Sequence, residues 1–340
     1  MAPERMFASE QARIELLETL VNIPSLTGSE GEVGRHLERL LEKIGFRVQR
    51  QFVDSERFNV IATTAKPPKL LFCTHMDTVR PHFNFSREGE ILYGRGVCDA
   101  KGSMTAMIAA AEELIRRGHE EIGLLFVVGE ELDSDGAKKA AELDLDPNYI
   151  ILGEPTENTV AIAQKGTLVF RVRSSGQPGH SAYPRGPSAI HILVGALNRL
   201  TLEDWGQDPT LGETTLNIGR IEGGEGPNVV AASAVAEGIF RVAGSVEEIM
   251  DRLARILGSE LELDILSSSE PVFLTSVEGI DETVVSFGSD APYLQELGKV
   301  VLMGPGSIQN AHRPDETIQV PEITRASENY CAVAMQLLTE

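Results

Sequence analysis

The chain places imidazoles and carboxylates directly after short apolar runs, a placement suited to holding divalent cations and moving protons. In FCTHMDTV a strand-like run ends at His75, with Asp77 two residues on. Spacing of two puts both side chains on one face of an extended segment. Imidazole is a common zinc ligand, and a neighbouring carboxylate can orient it; alone, the pair is open to other uses. In GRGVCDAKGS, Asp99 sits in a Gly-rich turn before a helix, where a helix-start carboxylate is an equal reading. FVVGEELDSDG sets Glu130 beside Glu131 at a strand end, and adjacent carboxylates repel unless a cation or proton separates them. Glu154 closes the apolar run of IILGEP, and His312 follows the last apolar strand in GPGSIQNAHRPDE. Open α/β sheets gather their sites at the carboxyl ends of strands. Five segments therefore offer candidate cation ligands: His75, Asp99, one of the adjacent pair Glu130 and Glu131, Glu154 and His312.

The elements that must position these groups follow from periodicity. GEVGRHLERLLEK carries Val33, Leu37, Leu40 and Leu41 at helical spacing, with Gly45 placed to stop the helix. KLLFCTH, EIGLLFVVG and YIILGEP are short, β-rich apolar runs that predict buried strands. SMTAMIAAAEELIRRG and DGAKKAAEL predict helices between them, so the first part is α/β with a mainly parallel sheet. From about residue 165, TLVFRVRSSG, SAIHILVGALNRL, TTLNIGRIEGG, SAVAEGIFRVAG, SVEEIMDRLARIL and LELDILSSS give a β-α-β-β-α-β order. That is the split-βαβ pattern of a ferredoxin-like domain. KVVLMGPGS then returns to the buried-strand pattern, and ASENYCAVAMQLL predicts a last helix. The expected organisation is a domain of residues 1–164 and 275–340 interrupted by an insert of residues 165–274.

Composition narrows the partners. Lys and Arg number 30 against 51 Asp and Glu, a formal charge of −21 that disfavours nucleic acid and anionic membranes. The segment MAPERMFASEQARIELLETL is charged throughout and lacks a leader's apolar stretch, which predicts a cytoplasmic protein. Cys73, Cys98 and Cys331 stand far apart, fitting reduced thiols rather than a disulfide framework or a Cys-based zinc site.

The combination HMDTV, GRGVCDAKG, GEE, GEP and a C-terminal His loop resembles the metallopeptidase family of acetylornithine deacetylase, succinyl-diaminopimelate desuccinylase, aminoacylase and carboxypeptidase G. The similarity runs through nearly the whole chain. It implies a zinc-peptidase-like α/β catalytic domain interrupted by a ferredoxin-like lid and dimerisation domain. It implies two divalent ions, zinc foremost with cobalt or manganese also suited: His75, Asp99 and Glu154 would hold one, and Asp99, Glu131 and His312 the other. By the same resemblance Glu130 would be the general base and Asp77 would hold the His75 imidazole. Consecutive side chains in an extended segment point opposite ways, which would let Glu130 and Glu131 divide base and ligand roles.

In SGQPGHSAYP, the resemblance implies that His180 stabilises an oxyanion, often in the partner subunit of a homodimer joined through the insert. By the same resemblance, Asn228 of GGEGPNVV would fall at a polar substrate-contact position. Arg241 of GIFRV would grip a substrate carboxylate, although an exposed strand arginine is its plainer reading. Ala231 stands where relatives usually carry proline. The stretch from Gly288 to Pro292, followed by the loop from Gly304 to Glu316, most resembles acetylornithine deacetylases, and Gly288 and Gly304 would line the pocket. The expected reaction is removal of an N-acyl group from a small amino acid, acetylornithine first. Acetylcitrulline, acyl-lysine, succinyl-diaminopimelate and dipeptides are the alternatives, and a non-catalytic scaffold is the reading from another class.

Overall fold

The computed structural model describes residues 6–339, so the first five residues of the segment inspected for a leader lie outside it. In chain order the principal elements are α1 (Glu10–Val21), α2 (Gly31–Lys43), β1 (Arg47–Phe52), β2 (Phe58–Thr63), β3 (Leu70–His75), α3 (Lys101–Arg116), β4 (Ile122–Val127), α4 (Asp135–Ala140), β5 (Tyr149–Leu152) and β6 (Val160–Gln164). They continue as β7 (Gly166–Ser175), α5 (Ala189–Leu202), β8 (Thr215–Gly223), β9 (Ser233–Val242), α6 (Val246–Leu257), β10 (Leu261–Ser269), β11 (Lys299–Leu302) and α7 (Val320–Leu337). The chain divides into two compact units. The first holds residues up to Ile162, Leu274–Thr283 and those from Ser289 onward; the second holds Ala163–Phe273 and Val284–Gly288.

In the first unit the sheet runs β1-β2-β4-β3-β5-β11-β6. Its middle strands β4, β3, β5 and β11 are parallel, while the pairs β1–β2, β2–β4 and β11–β6 are antiparallel. Every residue of β3, β4 and β5 is buried, as continuous apolar runs in a covered sheet require. Helix α3 is buried on nearly all sides and packs against α1, α7 and the sheet; its small residues Ala106, Ala109, Ala110 and Ala111 permit that close approach. The last helix starts at Val320, earlier than its apolar pattern suggests. Pro321 is tolerated in a first turn, and Gln319 and Glu322 form a reciprocal capping box there.

Register is what matters for function. His75 pairs with Val127, and Cys73 and Leu302 both sit level with Leu152. Four parallel strands therefore end at one level, and the segments Met76–Asp77, Gly129–Glu131, Gly153–Glu154 and Met303–Gly306 all leave the sheet on the same side.

The second unit has the sheet order β8-β9-β7-β10, all antiparallel, with α5 and α6 packed on one face. Phe170, Phe240, Leu168 and Val172 alternate inward, and Trp205 meets Phe240 edge-on. This is the ferredoxin-like arrangement expected of the β-α-β-β-α-β order. No helix among the described residues is long and apolar enough to cross a membrane.

Candidate metal centre

The first unit brings four of the sequence-derived candidates into direct contact. His75 Nε2 lies 3.0 Å from Asp99 Oδ1. The other oxygen of the same carboxylate, Oδ2, lies 3.4 Å from His312 Nε2, which is 2.8 Å from Glu131 Oε2. Ligand-type atoms of His75, Asp99 and Glu131 all fall within 4.8 Å of one another. One buried carboxylate thus turns its two oxygens toward two different imidazoles.

Each group is held from the backbone outward. His75 Nδ1 faces the main-chain carbonyl of Asp77 at 3.0 Å and its carboxylate Oδ1 at 3.5 Å, which leaves Nε2 aimed at Asp99. The Asp77 carboxylate also accepts the backbone N–H groups of Glu130 at 3.1 Å and Glu131 at 3.2 Å, and the Thr27 hydroxyl at 2.9 Å. One side chain therefore joins the His75 strand end to the two-glutamate turn. His312 adopts a left-handed backbone with φ of 62°, and about half of its side chain is exposed. The Asp99–Ala100 peptide is cis.

The two glutamates do not divide their directions as neighbours on an extended strand. Gly129, at φ of 75°, takes the chain out of β4 and into a turn that contains both. A Cβ at Gly129 would stand 2.0 Å from Asp135 Oδ1 and 2.7 Å from Arg57 Nη2. Behind this turn Arg57 bonds Asp135 at 2.5 and 2.9 Å and Glu30 at 2.9 and 3.1 Å. This brace was missed in the sequence because its members come from three segments with no shared spacing.

The donor set fits a cation. Glu131 Oε1 and Glu154 Oε1 are buried and have no hydrogen-bond partner, a costly state for a carboxylate that nothing compensates. Burial pushes the Glu130 and Glu154 carboxyls well above the ordinary carboxylate range, with neighbouring carboxylates adding to the effect. Asp99 goes the other way: burial opposes ionisation, but hydrogen bonds from His312 and His75 hold its carboxyl below the ordinary value. Those same contacts, with Asp99 and Glu131, raise His312 to about 10. Asp290, buried beside Ser134, is pushed up to about 7, first by burial. In the protein alone, protons and hydrogen bonds take up the charge that a cation would neutralise.

The profile of peptidase family M20/M25/M40 matches residues 71–336. The chain belongs to that family. A peptidase M20 domain-containing protein of Schizosaccharomyces pombe is 38% identical over 335 residues, spanning 95% of this chain and 84% of its own. A protein of Aspergillus flavus named as a probable carboxypeptidase is 35% identical, spanning 92% and 87%. A tripeptidase structure from Staphylococcus aureus superposes with a TM-score of 0.84 at 21% identity, covering 98% of this chain and 99% of its own. This M20 peptidase is a hydrolase of amide or peptide bonds by family membership.

The remaining candidates lie in the second unit of this M20 peptidase, except Gly304, which opens the loop after β11. A Cβ at Gly304 would meet the Glu154 carbonyl at 2.5 Å and Ser103 Oγ at 2.7 Å, so only glycine permits that approach. His180 sits on a two-residue strand paired with Val229–Val230, and the Ser181 N–H bonds the Asn228 carbonyl at 3.0 Å. His180 and Asn228 therefore share one patch. Gly176 N–H to Ala232 O ties that patch to the Ser233 end of β9. Arg241 stands at the opposite end, opposite Thr167. A Cβ at Gly288 would lie 3.3 Å from the Thr167 side chain. The second unit thus carries two separate patches.

The charge state yields a sign that can be tested. Raising His312 from 6.5 to about 10 adds stability that is complete below pH 6.5 and lost as pH rises toward 10. Asp290, raised from 3.8 to about 7, favours the fold in its protonated form and loses that contribution as pH rises through 7. Asp99 is ionised throughout and adds no slope. Lys101, lowered by burial from 10.5 to about 7, works in the opposite direction above pH 7, so the His312 contribution is read against a His312→Gln variant. With chelator present, the parent's advantage in melting temperature over that variant is expected to shrink between pH 6.5 and 10; an advantage that stays level or grows across this range would contradict the assignment.

Proposed function

We propose that this M20 peptidase is a cytoplasmic, metal-dependent amidohydrolase that frees a small amino acid from its N-acylated form, N-acetylornithine being the first substrate assigned. The observation that supports it most is the Asp99 carboxylate turned toward both imidazoles while Glu131 Oε1 and Glu154 Oε1 stand buried without partners. His75, Asp99 and Glu154 would hold one divalent ion and Asp99, Glu131 and His312 a second, with zinc the first choice and cobalt or manganese compatible. When bound, such ions supply Lewis acidity toward the scissile carbonyl and a water of lowered pKa.

Glu130 takes the role of general base. Its backbone is fixed by Asp77, while its carboxylate stays outside the contacts that join His75, Asp99, Glu131 and His312. Burial raises its proton affinity above that of an ordinary carboxylate, the direction needed to accept a proton near neutrality and return it to the leaving amine. Arg241 grips the substrate carboxylate, and the acidic surface draws in a cationic amine.

His180 acts from the second copy of a homodimer joined through the inserted unit. Along β9, Ser233 to Arg241 spans roughly 26 Å at about 3.3 Å per residue, longer than an N-acyl amino acid. One small substrate therefore does not meet the His180–Asn228 patch and the Arg241–Gly288 patch of the same chain.

Carboxypeptidase action on short peptides is the second reading, favoured by the name that the fungal relatives carry. Both reactions release an amino acid with a free carboxylate. Turnover of acetylornithine beside acetylcitrulline, acetyllysine, succinyl-diaminopimelate, dipeptides and N-blocked dipeptides separates them. Preference for acetylornithine, abolished by chelator and restored by zinc or cobalt, is expected; preference for the N-blocked dipeptides establishes the carboxypeptidase instead. Glu130→Gln should keep its bound metal and lose at least about a thousandfold in kcat; substantial residual turnover in the loaded variant reassigns the base. Mixing inactive His180→Ala chains with inactive Glu130→Gln chains should recover part of the activity through hybrid dimers. If hybrids stay inactive, His180 does not act across subunits.

A further inference from the structure

Glu316 closes the loop that carries His312, four residues before α7, and its side chain has no exposure to solvent. Its carboxylate reaches back to the other ligand-bearing loop. Oε1 accepts the backbone N–H groups of Gly96 at 3.1 Å, Cys98 at 2.9 Å and Asp99 at 3.1 Å. Oε2 accepts Arg95 Nη1 at 2.7 Å. Arg95 is itself fully buried, donates to the Pro81 carbonyl at 3.1 Å and lies over the Phe83 ring. The main chain adds one more link, from the Gly94 N–H to the Glu316 carbonyl at 3.3 Å.

Converging backbone amides make a nest for an anion, and charge-assisted bonds of this kind are the stronger class. Here the anion is supplied in cis by a residue on the His312 loop. One of the three amides belongs to Asp99 itself, whose Oδ2 faces His312 at 3.4 Å. The same residue that clamps the Asp99 backbone is therefore joined, through four residues of chain, to the imidazole that Asp99 faces.

We infer that Glu316 is a positioning residue that sets the separation of Asp99 and His312, and through it the affinity for the cation these two would share. The inference rests on the reading of both residues as ion ligands. Removing the carboxylate leaves three buried amides and a buried guanidinium short of their acceptor. In Glu316→Gln the side chain is neutral, and one of its ends must turn an N–H toward a donor. In Glu316→Asp the charge stays, but the shorter side chain does not span the amides and Arg95 together.

The test is a cobalt titration of the full-length, chelator-stripped protein, read by the visible absorption of the bound ion. Metal-free melts and far-UV circular dichroism run beside it. Folded Glu316→Gln is expected to bind cobalt about 10–100-fold more weakly than the parent, with an altered visible band. If Glu316→Gln does not fold, Glu316→Asp takes its place with the same expectation. A folded variant with parental cobalt affinity and spectrum overturns the inference, even with a lowered melting temperature, because Glu316 would then brace only the fold. A parent chain that binds no cobalt overturns this inference together with the metal reading beneath it.

Discussion

Like charge gathered at one level of a parallel sheet is the constraint on which the first unit depends. The register that pairs His75 with Val127 and sets Cys73, Leu152 and Leu302 level forces the following segments to share one end of the sheet. Asp99, Glu130, Glu131 and Glu154 then crowd a largely buried space with two imidazoles. Such a set is tolerable only with protons, hydrogen bonds or cations between its members. The opposite shifts of Asp99 and Glu154 express this: the carboxyl with two imidazole partners ionises more readily than usual, and the buried one whose Oε1 lacks a partner ionises less readily.

The supporting groups answer the same constraint from behind. Asp77 fixes the backbone of the Glu130–Glu131 turn, and Arg57 with Glu30 and Asp135 braces that turn from its other side. Lys101, the first residue of α3, donates to the Leu20 and Ile23 carbonyls and so ties the metal-loop helix to the end of α1. These are buried or half-buried polar groups with their bonds satisfied, which rigidifies a site instead of loosening it.

Much of the candidate site was legible before any fold was known, because most of its candidate ligands stand near the ends of apolar runs, which are strand signals, and because the motif set resembles a known family. What was not legible were the groups whose partners lie far away in sequence. Arg57 meets Asp135, and Glu316 meets Gly96, Cys98 and Asp99, across 78 and more than 200 residues respectively. No periodicity records such pairs. The direction of Glu130 and Glu131 was misread for a related reason. The expected extended segment is a turn, because Gly129 adopts a positive φ that a sequence permits but does not announce.

The order of elements, the ferredoxin-like insert and the candidate ligand types were determined by the sequence alone, through hydrophobic periodicity and the chemistry of His, Asp and Glu. Which ligands face one another was decided by the tertiary structure, since strand register and not spacing sets that distance. The same holds for the second unit. The resemblance assigns an oxyanion role to His180 and substrate contacts to Asn228, Arg241 and Gly288, without placing them relative to one another. Antiparallel pairing separates them into two patches at opposite ends of β9, because an extended strand carries residues apart by about 3.3 Å at every step.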